Sequence, residues 1–187
     1  SAFPYHQSYQ ISVDLYHNLR KLFKMKFFTN LDALDAIKQS VESMSLHFGQ
    51  DIFASVNFQA QHYFNQKRYT IKDKEQPLSS EEYIKFIKET IKKYLLLVII
   101  DPLEENDWLS NKNVFEDLKS DFYLSSEKNS LSKQTSTSVL KFNEIGTITE
   151  FFSKVSSLKT NNSNFIISAG HAETNDDFVA DLSVALQ

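Results

Sequence analysis

LLLVIIDPLEENDW, residues Leu95 to Trp108, decides the fold of this chain. Six apolar residues from Leu95 to Ile100 run without polar alternation, the pattern of a strand covered on both faces of a parallel sheet. Asp101-Pro102 ends it, because proline lacks an amide donor and biases the residue before it towards extended backbone. Polar Glu104 to Asp107 and the single tryptophan, Trp108, follow. In α/β proteins the loop beyond a strand's carboxyl end is where chemistry sits. The residue presented there is Ile100, which can do none.

The bulk composition removes several classes of function. A chain of 187 residues can form a domain with a substantial core, and it is rich in Phe (16) and Tyr (8) but has 3 Gly. The net charge of −4, with no basic cluster beyond Arg20–Lys26, gives no nucleic-acid surface. The absence of cysteine excludes disulfides, thiolate metal sites and a cysteine nucleophile, and fits a reducing, cytoplasmic setting. The longest apolar run is too short to cross a membrane. No signal-peptide pattern opens the chain, and its lack of an initiator Met points to processing or shortening.

Outward from the central stretch, Ser79-x-x-Glu82 is a capping box for a helix carrying Ile84, Ile87, Ile91 and Tyr94. Upstream, Ser8–Lys26 reads as an amphipathic helix with Leu15, Leu19, Leu22 and Phe23 on one face. A second helix follows Asn30 as N-cap, with Leu31, Leu34, Ile37, Val41 and Met44 in register and Gly49 to end it. The short link between them predicts an antiparallel pair. Strands are expected at Ile52–Phe58 and Tyr69–Ile71, with a helical turn within Gln59–Lys67. Downstream, short helices are expected at Leu103–Ser110 and Val114–Lys119 and strands at Phe122–Leu124, Val139–Phe142 and Phe165–Ser168. A second capping box, Thr147-x-x-Glu150, opens a helix with Phe151, Phe152, Val155 and Leu158, and a last helix spans Thr174–Gln187. Ser125–Ser138 is Ser/Thr/Lys-rich and reads as a loop. Strands alternating with helices give an α/β fold with parallel strands; an open doubly wound sheet and part of a (β/α) barrel both fit. No G-x-G-x-x-G or Walker lysine supports a nucleotide site.

Four segments carry a resemblance: Leu15–Leu19 (LYHNL), Asp101–Trp108 (DPLEENDW), Lys141–Glu150 (KFNEIGTITE) and Glu173–Leu182 (ETNDDFVADL). Together and in this order they resemble the barrel domain of enolase, the lyase that dehydrates 2-phosphoglycerate. The resemblance implies a partial, degenerate enolase-type (β/α) barrel over residues 1–187, without the family's N-terminal domain and its last barrel strand. It also implies Mg²⁺ ligands at three positions, occupied here by Asn57, Ile100 and Phe122; a one-residue slip puts Asp121 at the third. The family's proton-donating Glu sits in a loop missing between Phe28 and Asn30, and an assisting Glu corresponds to Gln7. The substrate-holding Ser-His-Arg-Ser-Gly motif reads Ser168-Ala169-Gly170-His171-Ala172. Lys141 matches the general base.

The family's reaction removes a proton from carbon beside a carboxylate and needs Mg²⁺ to neutralise the charge that develops. Mg²⁺ takes hard oxygen ligands, usually carboxylates. Asn57 and Gln7 keep the shape of acids without the charge, whereas Ile100 and Phe122 can only fill space. The expectation is a pseudoenzyme with no cofactor, acting as a structural component of a cytoplasmic, cytoskeletal or flagellar assembly through protein partners or self-association. The alternatives are a binder of a phosphorylated metabolite, using Lys141, Ser168, His171 and helix N-termini at Thr147 and Thr174, and a residual enolase completed by a second chain. Each sharp feature has a plainer reading: Lys141 as a solvated strand-end lysine, His62 and His171 as unrelated surface histidines, and Trp108 with the Phe-rich helices as core.

Overall fold

The computed structural model describes residues 3–22, 29–111, 114, 115, 122–127, 135–169, 174 and 176–186. The chain divides into two compact units, Ser1–Phe122 and Tyr123–Gln187. Among the described residues, no helix is long and apolar enough to cross a membrane.

The first unit opens with helices α1 (Tyr5–Leu22) and α2 (Asn30–Ser43), which pack on one another. Helix α1 starts earlier than its apolar pattern suggests. Pro4 is tolerated at a helix start, and its carbonyl accepts the Ser8 amide at 2.9 Å. The cap of α2 is Thr29, not Asn30: Thr29 accepts the Asp32 amide while the Asp32 carboxylate accepts the Thr29 amide. Asn30 is instead spent on Asp73, whose other oxygen takes the Leu31 amide at 2.9 Å. Gly49 lies beyond the end of α2, in a turn at φ +82° where any side chain would run into Leu95.

Strand β1 (Ser55–Asn57) pairs in parallel with β4 (Val98–Ile100). Between them come a 3₁₀ turn at Ala60–His62, the hairpin β2 (Phe64–Asn65) and β3 (Arg68–Tyr69), and helix α3 (Ser80–Tyr94). The hairpin replaces the single strand expected at Tyr69–Ile71. Its turn residues Gln66 and Lys67 both have positive φ, as two-residue hairpins require, but neither carries the usual Asn or Gly signal. The Ser79–Glu82 capping box forms as read, and α3 buries Tyr83, Ile84, Phe86, Ile87, Ile91 and Tyr94. The expected six-residue strand shrinks to three because α3 ends with Leu95 in the left-handed conformation at φ +47°, leaving that leucine exposed. Asp101 also departs from the extended backbone expected before proline. It sits at φ +46°, a conformation Asp tolerates, and its carbonyl receives the Ala60 amide.

Helix α4 (Glu105–Ser110) is capped by the Glu104 carboxylate and buries Trp108. What holds it is Tyr69. The fully buried phenol donates to Asp107 Oδ2 at 2.6 Å and accepts the Glu104 amide at 3.1 Å, and its ring stacks on Tyr83 at 3.9 Å. Of the helix expected at Val114–Lys119, only Val114 and Phe115 are among the described residues.

In the second unit, β5 (Tyr123–Ser126), β6 (Thr137–Lys141) and β7 (Asn164–Ser168) are parallel, with α5 (Ile148–Thr160) crossing between β6 and β7 and α6 (Phe178–Ala185) following. Leu140, Phe151, Val155 and Leu182 form its core. Helix α6 begins later than Thr174 because the Asp176 carboxylate ties back the chain, accepting from Thr174 Oγ1 and from the Phe178 amide. Both units repeat the strand–helix–parallel-strand pattern of an α/β fold.

Replacing Tyr69 with Phe keeps the stacked ring but leaves the Glu104 amide and the Asp107 carboxylate without their shared partner. A loss of about 1–3 kcal/mol is expected, measured by urea unfolding, with no change in far-ultraviolet circular dichroism.

Candidate functional site

The positions that the resemblance assigns to catalysis fall on both units. On the first, β1 and β4 run in register so that Asn57 and Ile100 are direct partners at the strands' carboxyl ends. The Phe58 amide donates to the Ile100 carbonyl at 2.9 Å and closes the pair. Asn57 is exposed, and its side-chain oxygen accepts the Gln59 amide at 3.2 Å, where Gln59 turns through φ +44°. Its carbonyl-type oxygen therefore shapes the loop after β1. Ile100 is half-buried rather than sealed in the core, because the fully buried residue of that strand is Ile99. Phe122 is buried and meets Phe115 edge to face at 6.3 Å, but it precedes Tyr123, the first residue of β5, and so is not at that strand's carboxyl end. Gln7 lies within the first turns of α1, exposed, and not ahead of the helix. His62 is exposed in the 3₁₀ turn. Asp121 lies outside the described residues.

On the second unit, Lys141 ends β6 and is the register partner of Ser168, which ends β7. Lys141 is not a solvated strand-end lysine. Only 10% of its side chain is exposed, and its ammonium donates to Glu127 Oε2 at 2.6 Å and pairs with Glu144 Oε1 at 3.4 Å. Glu127 follows the last residue of β5, and Glu144 closes the 3₁₀ turn Phe142–Glu144 just after β6. The hydrogen bond to Glu127, reinforced by Glu144, raises the Lys141 pKa above the ordinary lysine value. The amine is thus held as ammonium at neutral pH. Ser168 donates to the carbonyl of its neighbour Ala169 at 3.2 Å. His171 and Gly170 lie outside the described residues.

Parallel strands that place functional side chains at their carboxyl ends are the frame of a (β/α) barrel. A family model described as "Enolase, C-terminal TIM barrel domain" matches residues 2–187. The chain belongs to this enolase C-terminal domain family. The enolase barrel expected from the four quoted segments is therefore the fold class of the chain, present here as parallel βα units.

Glu127 and Glu144 were not legible as partners of Lys141. Glu144 carried a faint signal, since three residues from Lys141 is within reach when a tight turn follows the strand. Glu127 carried none, sitting in a Ser-rich stretch whose strand β5 is set by pairing Ser125 with Thr137 and Ser126 with Ser138. The helix N-termini are also already engaged. Thr147 Oγ1 accepts the Glu150 amide and donates to the Glu150 carboxylate at 3.0 Å, and Asp176 takes the first amide of α6.

Because the folded pKa of Lys141 is raised, its contribution to stability is complete below the unfolded lysine value and is lost as pH climbs through the folded one. Glu127→Gln should lower that pKa, cost about 1–3 kcal/mol at neutral pH, and flatten the alkaline loss of stability. An NMR titration of the lysine side-chain carbons, run beside urea melts at rising pH, reads both effects.

Proposed function

We propose that this enolase-family domain is non-catalytic and serves as a structural component of a larger protein assembly. The observation that carries the reading is the donor set at the strand ends. Asn57 offers one amide oxygen, already accepting a backbone hydrogen bond, beside aliphatic Ile100. Mg²⁺ needs near-octahedral oxygen ligation that includes carboxylates, and these residues do not fit it. Lys141, the residue matching the family's base, carries its proton and is committed to Glu127. A protonated lysine abstracts nothing, and one already paired with two carboxylates offers little to offset charge developing on a substrate carboxylate. The same pairing weakens the metabolite-binding alternative: two carboxylates already satisfy Lys141, and the helix N-termini at Thr147 and before Phe178 hold their own acids.

Support for an interaction role comes from α1. Tyr5, Tyr9 and Tyr16 are 73%, 63% and 64% exposed. Tyr5 and Tyr9 are one helical turn apart and Tyr16 lies two turns further, so the three share one stripe. Exposed tyrosines in a row are poor solvent-facing choices and good partner contacts, because the ring supplies apolar area and the hydroxyl a polar edge.

Two measurements test this. Incubation with 2-phosphoglycerate and Mg²⁺ is expected to yield no phosphoenolpyruvate, and measurable dehydration by the purified protein would sink the reading. Tyr9→Ser combined with Tyr16→Ser is expected to leave unfolding free energy within about 1 kcal/mol, since both sites are exposed. The pair should shift the protein from sedimenting complexes to the free fraction in extracts of its own cells. Unchanged sedimentation would remove the stripe from the interface.

A further inference from the structure

We propose that the first unit carries a binding site for a small, neutral, largely apolar molecule in the cavity between α2 and α3 over β1, with the Tyr83 hydroxyl as its polar anchor. The site is separate from the strand-end chemistry above and does not depend on the reading given there.

The cavity has a volume of about 270 Å³. An apolar hole of about 150 Å³ holds a benzene ring, and natural ligand pockets begin at about 300 Å³. The space is therefore well beyond a packing void and suits a molecule of one ring with a short substituent, or a short-chain alcohol or ketone. Leu34, Ile37, Val56, Phe58, Ile71 and Phe86 supply the apolar wall. No charged side chain lines the cavity among the described residues, so an ion would enter without compensation and a neutral molecule is selected. Three polar groups on the lining are already spent on the fold: Asn30 on Asp73, Thr90 on the Phe86 carbonyl, and the Asn57 oxygen on the Gln59 amide.

Tyr83 differs from these. It is 1% exposed and lines the cavity, yet its hydroxyl makes no hydrogen bond to any described residue. Burial pushes its pKa up, so it is a neutral phenol able to donate or accept. Stacking on Tyr69 at 3.9 Å fixes the ring, so the hydroxyl is presented with little freedom to lose on binding. The neighbouring Tyr69 spends its hydroxyl on the α4 loop, whereas that of Tyr83 is bonded to no described residue. Asn30, Asn57 and Tyr63 are exposed lining residues and mark the side from which a ligand enters.

Benzyl alcohol and toluene, near-isosteres with and without a hydroxyl, test the site on the whole protein. Methyl NMR shifts of Leu34, Ile37 and Val56 should move with both, and benzyl alcohol should bind roughly three- to ten-fold tighter, the factor one net hydrogen bond supplies. Tyr83→Phe should erase that preference while toluene still binds, and Ala33→Met should weaken both by filling the cavity. Absence of shifts with either probe, a preference that survives Tyr83→Phe, or binding undiminished in a folded Ala33→Met variant would each overturn the proposal.

Discussion

The Tyr69 phenol is fully buried, and its hydroxyl is paired on the loop that follows the central strand. Its oxygen sits between the Asp107 carboxylate and the Glu104 amide, and its ring lies on Tyr83 of α3. The backbone of the same residue pairs with Leu78 in both directions, at 2.9 and 2.8 Å. One residue thus ties the hairpin, the start of the long helix and the rim helix α4 to each other. The hydrogen bonds are directional and the stack is not, so together they fix both position and orientation. The loop at the end of β4 is anchored through this arrangement.

Around that anchor the unit is braced by acids that act at a distance in sequence. Asp73 secures the start of α2 through Leu31 and Asn30. Asp35 on α2 receives the Tyr94 hydroxyl at 2.9 Å, with Lys93 alongside at 3.4 Å. These bonds join α2 to α3 on one side and to the loop before α3 on the other. The apolar cavity lies between those helices, and it persists because polar braces set the helix separation while side chains fill only part of the gap. On the second unit the comparable constraint is the Lys141 ammonium, whose low exposure is tolerable because carboxylates face it. Its pair with Glu127 ties the end of β6 to the residue that follows β5.

Much of this was legible in advance, and for identifiable reasons. The Ser79–Glu82 box and the apolar spacing through Ile84, Ile87 and Ile91 are local signals, and α3 follows them within a residue. The long motif matches carried the enolase family, because a run such as KFNEIGTITE encodes a strand end, a turn and a helix cap together. Ile100 at the end of its strand was also legible, since it rests on residue identity, whereas its pairing with Asn57 came from the sheet. Where local reading failed, long-range contacts decided. Leu95 was counted into the strand because it is apolar; it instead closes a helix, next to the turn at Gly49. Asn30 looked like a cap, and Thr29 took the position because Asp32 could return the bond while Asp73 claimed Asn30.

The sequence by itself determined the alternation of strands and helices, the family, and the kinds of atom available at each strand end. These depend on periodicity, capping and residue chemistry, which are properties of short segments. Only the tertiary structure decided that Lys141 is matched by Glu127, that Tyr69 holds the rim, and that Tyr83 lines an apolar cavity. Those outcomes turn on separations of a few ångströms between residues many positions apart. No local rule sets such distances; packing of the whole unit does.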